Sequence, residues 1–245
     1  MPGHEKLISQ LHMGKPHPEN AAQVEKAQEI LGYQFNHTAL LEAAITHPSA
    51  SKHAHKLKDY ERLEFLGDSV LGCIIAEETF GRFPDLDEGG LTRIKVSVVS
   101  GVSLSTVGKE IGLGDVIIFG DSEAGTKGRG LNSALENVFE ALVGALYLDS
   151  GMEAAREWAL RVLGDHIRRE IAEEPESPKS SLQEYLQARR RKPLYRITEV
   201  SGPPHDRKFT AAVLVDEQVL GTGEGRSKKA AEAAAAQKAL EELGL

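Results

Sequence analysis

Cysteine is nearly missing: Cys73 is the only one in 245 residues. A disulfide framework is therefore excluded within one chain, and so is a zinc site built from several thiolates. Long apolar runs are missing too. No stretch approaches the roughly 18 residues that a membrane-spanning helix needs. The first residues lack the apolar core of a secretory signal. Internal repeats are not found. These absences lead us to expect a cytoplasmic protein with no membrane partner. What remains is 40% hydrophobic and 27% charged residues, the balance of a globular chain. The length allows one large domain or two ordinary ones.

The net charge of −8 argues at first against a polyanionic partner. Its distribution reverses that. Residues 178–245 hold 12 Lys and Arg against 9 Asp and Glu, a net +3, whereas residues 1–177 carry −11. An acidic body joined to a basic tail is an asymmetry with functional content.

The hydrophobic pattern divides the chain at the same place. Residues 1–20 are polar and interrupted by proline, and are expected to be a flexible leader. Helical periodicity then dominates residues 21–171, with amphipathic segments near 23–31, 38–46, 60–80, 90–99, 102–111, 132–149 and 152–172. The short run DVIIFG (115–120) is strand-like. The stretch 172–180, AEEPESPKS, reads as a linker. Beyond it, 181–189 reads as a helix, and 193–200, 208–216 and 217–225 as strands. Turns are expected at Gly202-Pro203-Pro204 and at Asp216-Glu217. An Ala-rich helix follows over 227–243. The fold class is mainly α: an all-helical domain (21–171) followed by a small α-β-β-β-α domain (181–245).

The stretch YERLEFLGDSVLG (60–72) places Glu61, Glu64 and Asp68 at i, i+3 and i+7, on one narrow helical face. Leu63, Leu66 and Val70 form the apolar stripe opposite. Gly67 inside the helix costs about 1 kcal/mol against alanine, which points to a close approach there. Like charges at this spacing repel, and Arg62 points elsewhere, so a compensating cation is called for. A second helix repeats the theme. In LNSALENVFEALVGALYLD (131–149), Leu135, Val138, Phe139, Leu142 and Leu146 form the core stripe, with Asn137 and Glu140 off it. Between the two lies FPDLDEGG (83–90), bearing Asp87 and Glu88. Converging carboxylates without cysteine or paired histidine suit a hard cation such as Mg²⁺ or Mn²⁺. The residues alone leave two readings open: such a site, or merely solvated helix faces.

At this point the chain resembles the ribonuclease III family. The segment ERLEFLGDSVL (61–71) is similar to its signature helix. LGYQFNHTALLEAAITHPSAS (31–51), FPDLDEGGLTRIKVSVVS (83–100) and LNSALENVFEALVGALYLDSG (131–151) resemble further blocks in the expected order. The resemblance implies a homodimeric, Mg²⁺-dependent endonuclease of double-stranded RNA, with Mn²⁺ as a substitute ion. It implies products with 5′-phosphate and 3′-hydroxyl ends and a role in RNA processing. Carried over residue by residue, Asp68 and Glu140 are the catalytic acids. Glu64, Asp68, Asn137 and Glu140 are the metal positions, and Glu61 and Glu88 are additional acids of the cleft. Phe65 matches an aromatic that packs into the partner subunit; an ordinary core phenylalanine is the alternative. One position departs: the family usually has Asp where this chain has Asn137. The expectation is weaker metal binding, with Glu136, one turn before Glu140, partly standing in. The competing reading is a duplex-RNA-binding protein whose nuclease is impaired by Asn137.

The tail contains GTGEGRSKKAAEAAAA (221–236), which lacks the Gly-Lys-Ser/Thr order of a phosphate loop. Its physics still favours phosphate. Ser227 can cap a helix whose first turn carries Lys228 and Lys229, two cations that oppose the helix dipole and so anticipate an anion. The tail resembles a double-stranded RNA-binding domain. That resemblance implies that Gln183 and Glu184 face one minor groove, that His205 reaches the next, and that Ser227, Lys228 and Lys229 meet the phosphates between.

His47, His53, His55, Cys73 and Trp158 are set aside. His47 is expected to be structural, His53 and His55 solvated, and Cys73 and Trp158 buried. The run RRRK (189–192) sits at a helix end, where positive charge is favourable and RNA contact is a second role.

Overall fold

The periodicity of residues 61–82 becomes a helix of 22 residues, and that helix organises the N-terminal half. The computed structural model describes residues 2–11, 16–50, 57–120, 130–173, 177–203 and 207–245. They fall into two compact units that divide between Glu173 and Glu174.

The first unit contains α1 (Pro2–Gln10), α2 (Ala21–Leu31), α3 (Thr38–Ile45), α4 (Glu61–Arg82), α5 (Glu88–Val98), α6 (Gly101–Glu110), α7 (Leu131–Ser150), α8 (Met152–Leu163) and α9 (Glu170–Glu173). At the centre runs α7, packed against α1, α3, α4, α6 and α8. Its stripe Leu135, Val138, Phe139, Leu142 and Leu146 is fully buried, and Ala141, Val143 and Ala145 are buried as well. A helix apolar on so many sides must be interior. Trp158 of α8 lies against Phe139, ring centroids 4.8 Å apart, and is buried as expected.

Local signals start and stop these helices. Asp87 caps α5 by accepting from the Gly90 amide at 2.8 Å. Ser100 caps α6 by accepting from Ser103 N–H. Gly32 ends α2 in the left-handed conformation, φ 57°. At the far end of α7 the Asp149 carboxylate is fully buried. It accepts from Tyr33 O–H, from the Asn36 and His37 backbone amides and from Asn36 Nδ2, all within 3.1 Å, and lies 3.0 Å from His37 Nδ1. A buried carboxylate is tolerable only with such a shell of donors, and this one ties the 33–37 loop to α7.

The second unit is α10 (Pro178–Gln187), β1 (Leu194–Ser201), β2 (Lys208–Val215), β3 (Gln218–Gly225) and α11 (Lys228–Glu242). The strands form one antiparallel sheet in the order β1-β2-β3. Asp216 and Glu217, at φ 48° and 68°, make the two-residue turn between β2 and β3. Three alternate residues of β3, Gly221, Gly223 and Gly225, face α11. A Cβ at any of them would sit 2.2–2.5 Å from the α11 backbone. The Ala-rich helix therefore lies directly on the sheet, burying Ala231, Ala235 and Ala239 with Leu182, Leu186 and Val213.

Several expectations need correction. Residues 2–10, expected to be leader, are helical because α1 finds a surface on α7. The expected helix 152–172 breaks after Leu163: a 3₁₀ turn at Gly164–His166 intervenes before α9. The run 115–120 forms no strand; its pairing is a single parallel bridge, Thr46 to Ile118. Helix α10 begins at Pro178, inside the stretch expected to be linker, because Ser177 caps it and Pro178 fits its first turn. Cys73 is exposed, since it lies off the buried stripe of α4.

Candidate functional site

Gly67 and Gly144 let two helices touch backbone to backbone. A Cβ on Gly67 would lie 1.8 Å from the Glu140 carbonyl oxygen, and one on Gly144 would lie 2.4 Å from that of Leu63. The close approach expected at Gly67 is thus where α4 crosses α7. Glu64 and Asp68, on either side of Gly67, are brought against the helical turn that bears Glu136 and Glu140.

Electrostatics record the convergence. Burial first, then the charges of Asp68, Glu64 and Glu136, push the Glu140 carboxyl up to about 7. Burial, then Glu61, Glu136 and Asp68, raise Glu64. Five carboxylates of α4 and α7 therefore share one field. Among the described residues, no group of three or more Asp, Glu, His or Cys is gathered closely enough to hold an ion as it stands. The donor set is still all oxygen, and its acids repel one another. That chemistry fits a hard divalent cation.

Asn137 is placed on the rim of this field. Its Nδ2 lies 3.4 Å from the hydroxyl of Tyr60, which is buried. Burial raises the Tyr60 hydroxyl's pKa, the Asn137 contact opposes that, and Glu64, Glu61 and Asp59 add to it. Tyr60 itself is steadied by His47, whose ring meets it edge-on at 5.7 Å and whose Nδ1 is 2.8 Å from Ser49 Oγ. His47 thus has the structural placement expected of it.

Glu88 stands apart. It opens α5, accepts from Thr92 Oγ1 at 2.9 Å, and is not among the charges that lift Glu64 or Glu140. Glu136 is the reverse case. Its expected part was only a substitute's, yet its charge acts on both Glu64 and Glu140. Its carboxylate occupies the space a side chain at Gly101 would need, 2.3 Å from that Cβ position. An acid one turn before Glu140 was the available signal.

Phe65 is 81% exposed, so it is no core residue of this chain. It borders a concavity of about 490 Å³ lined mainly by Leu7, Leu11, Leu57, Leu63, Leu66 and Leu148, with Gln10, Glu61 and Arg62 among them.

In the second unit, Gln183 and Glu184 are exposed on α10. Ser227 caps α11 by accepting from Ala230 N–H at 3.1 Å, leaving Lys228 and Lys229 exposed in its first turn. His205 lies outside the described residues, as do His53 and His55. In the run RRRK, Arg189 stacks 3.6 Å above the Tyr185 ring and Arg191 pairs with Asp216 at 2.7 Å. Two of its four charges are therefore spent within the unit.

Comparison with known proteins covers both units. Residues 37–167 match the family model described as ribonuclease-III-like, and residues 178–243 match that of the double-stranded RNA binding motif. The chain is 44% identical over 216 residues to the ribonuclease 3 of Symbiobacterium thermophilum, covering 86% of this chain and 91% of the relative. It is 40% identical over 225 residues to that of Vibrio vulnificus, covering 90% and 97%. Among solved structures it resembles the nuclease domain of ribonuclease III from Campylobacter jejuni, described as flexible in a region involved in dimer formation. That match has a TM-score of 0.54 and 34% identity, and covers 58% of this chain and 97% of that one.

Proposed function

We propose, from the premise that the chain belongs to the ribonuclease III family, that it is a Mg²⁺-dependent endonuclease of double-stranded RNA. The observation that carries the reading is the shared field at the α4–α7 crossing, where Glu140 is held near neutrality by burial and three acids. A site so negative has little use in a stable fold, and an ion resolves it.

Glu64, Asp68, Asn137 and Glu140 would hold Mg²⁺, or Mn²⁺ in its place. The ion supplies Lewis acidity at a phosphate oxygen and a counter-charge for the scissile phosphodiester. Asp68 and Glu140 are the catalytic acids of the proposal, and Glu61 widens the acidic cleft. Glu88 joins only if the cleft rearranges, because Thr92 holds it outside the shared field. With its pKa pushed up to about 7, the unloaded Glu140 carboxyl is about half protonated at neutral pH, and a bound cation would favour its charged form. The C-terminal unit brings substrate. Gln183, Glu184 and His205 would meet minor grooves, with Ser227, Lys228 and Lys229 on phosphates. Such contacts read the A-form shape of a duplex and weaken with salt.

Phe65 and its apolar concavity support a homodimer, each copy's phenylalanine entering the partner's hollow. Two half-sites related by a two-fold axis would then cut both strands. Products with 5′-phosphate and 3′-hydroxyl ends, processing of precursors such as those of ribosomal RNA, and a cytoplasmic setting belong to the same proposal.

The test is a labelled RNA duplex incubated with the wild type and with Asp68→Ala, in Mg²⁺ and in EDTA. The proposal expects cleavage by the wild type in Mg²⁺ alone and a loss of at least a thousandfold in the variant. Binding throughout with cleavage nowhere would favour the second reading, a duplex-binding protein impaired at Asn137. The contact of Asn137 with Tyr60 is the observation that keeps that reading in view.

A further inference from the structure

Lys179 sits in the first turn of α10, where the helix dipole disfavours a cation. The structure explains how it is kept there. Its Nζ is 2.6 Å from Glu232 Oε2 on α11 and 4.3 Å from the centroid of the Tyr195 ring on β1. Lysine, glutamate and tyrosine from three elements thus meet at one point. The Tyr195 hydroxyl is buried with no hydrogen-bond partner among the described residues. Burial, then the Glu232 charge, push it up to about 12, so it stays neutral. The tyrosine serves the cluster through its ring face, which attracts a cation.

The position of the cluster gives it meaning. Lys179 and Gln183 are i and i+4 on α10. Lys228 and Glu232 are i and i+4 on α11. Residues so spaced share one helical face. The bridge therefore lies one turn before Gln183 on α10 and one turn after Lys228 on α11. It joins the two exposed faces that the proposed function assigns to a minor groove and to the adjoining phosphates. Ala231 and Ala235 flank Glu232 in the core and fix where α11 lies on the sheet. Leu182 and Leu186 hold α10 to the same core further along, and the bridge is a polar contact that fixes its first turn against α11.

We propose that the Lys179–Glu232 pair, seated on Tyr195, is a positioning device for duplex RNA: it sets the distance between the groove-facing residues of α10 and the lysines that open α11. Neither residue touches RNA. Lys179 is matched to Glu232, so it adds no phosphate contact. This inference rests on the proposed function and adds to it the residues that set its geometry.

Two rivals make opposite forecasts. If Lys179 gripped a phosphate, its loss would flatten the salt dependence of binding by about one counterion. If Glu232 were only a bystander acid, neutralising it would tighten binding to a polyanion. The experiment measures affinity of the full chain for an RNA duplex of about 20 base pairs in EDTA, across a salt series. The variants are Lys179→Met, Glu232→Gln and the conservative Lys179→Arg. Both side chains are only about a third exposed, so a thermal melt of each variant accompanies the titration and binding is compared well below its midpoint. We expect Lys179→Met and Glu232→Gln each to bind about fivefold more weakly with an unchanged salt slope, and Lys179→Arg, which keeps both the ion pair and the ring contact, to stay within about twofold of wild type. Equal or tighter binding by Glu232→Gln, a shallower slope for Lys179→Met, or a loss in Lys179→Arg as large as that in Lys179→Met would overturn the inference. A wild-type chain that binds no duplex would instead overturn the proposed function, and the positioning role with it.

Discussion

Glu140 is a carboxylic acid whose ordinary value of 4.5 is pushed to about 7 in the fold. Between those values the folded chain binds more protons than the unfolded one. Stability contributed by the protonated group is therefore whole below about 4.5 and is lost as pH rises through about 7. In EDTA the melting temperature should fall as pH is raised from 5 to 8, and Glu140→Gln should remove most of that fall. A wild-type profile flat over this range would contradict the placement of Glu140. Mg²⁺ should stabilise more at pH 8 than at pH 5.5, because protons and the ion compete for the same oxygens. Asn137 and Glu136 make a second pair of forecasts. Asn137→Asp adds a charge to the field and should lower the Mg²⁺ concentration for half-maximal binding severalfold. Glu136→Gln should raise it. Calorimetric titration reads both, and equal midpoints in all three proteins would exclude Glu136 from the site.

Helices α4 and α7 hold the site through what they lack. A methyl group at residue 67 or 144 collides with backbone, not with a side chain that could turn aside. Gly67→Ala and Gly144→Ala should each cost roughly 2–4 kcal/mol, read as a lower urea midpoint, and cleavage should fall with the helix spacing. Unchanged midpoints would mean that the crossing is looser than described. Much at this scale was legible. The acid spacing of residues 61–68 and the apolar stripe of 131–149 are local patterns, and local patterns specify helices. The glycine at 67 announced a neighbour, though not which one. What stayed hidden depends on distant partners. Helix α1 is polar and draws its order from α7. The amphipathic period of 152–172 runs across Gly164, where the helix breaks into a 3₁₀ turn. Glu136 meets Glu64 from 72 positions away and Lys179 meets Glu232 from 53, and no periodicity records such meetings.

Across the whole molecule, charge is divided as the labour is. The N-terminal unit carries the acids and the C-terminal unit an excess of cations. Each has its own buried core, of aliphatic helices in one and of alanine against sheet in the other. The N-terminal unit also leaves Phe65 uncovered beside a leucine-lined hollow. Phe65→Asp should turn a sedimenting dimer into a monomer with a native circular dichroism spectrum, and duplex cleavage should give way to nicking or cease. A wild-type chain that sediments as a monomer at micromolar concentration would remove the dimer from the proposal.

The exposed thiol of Cys73 lies two turns further along the helix that bears Phe65, and it is the only sulfhydryl in the chain. Chemistry can therefore address one atom per molecule without any engineering. A maleimide nitroxide there would install a single paramagnetic reporter. Two copies joined through their phenylalanines would yield one label-to-label separation, and that ruler comes built into the natural sequence.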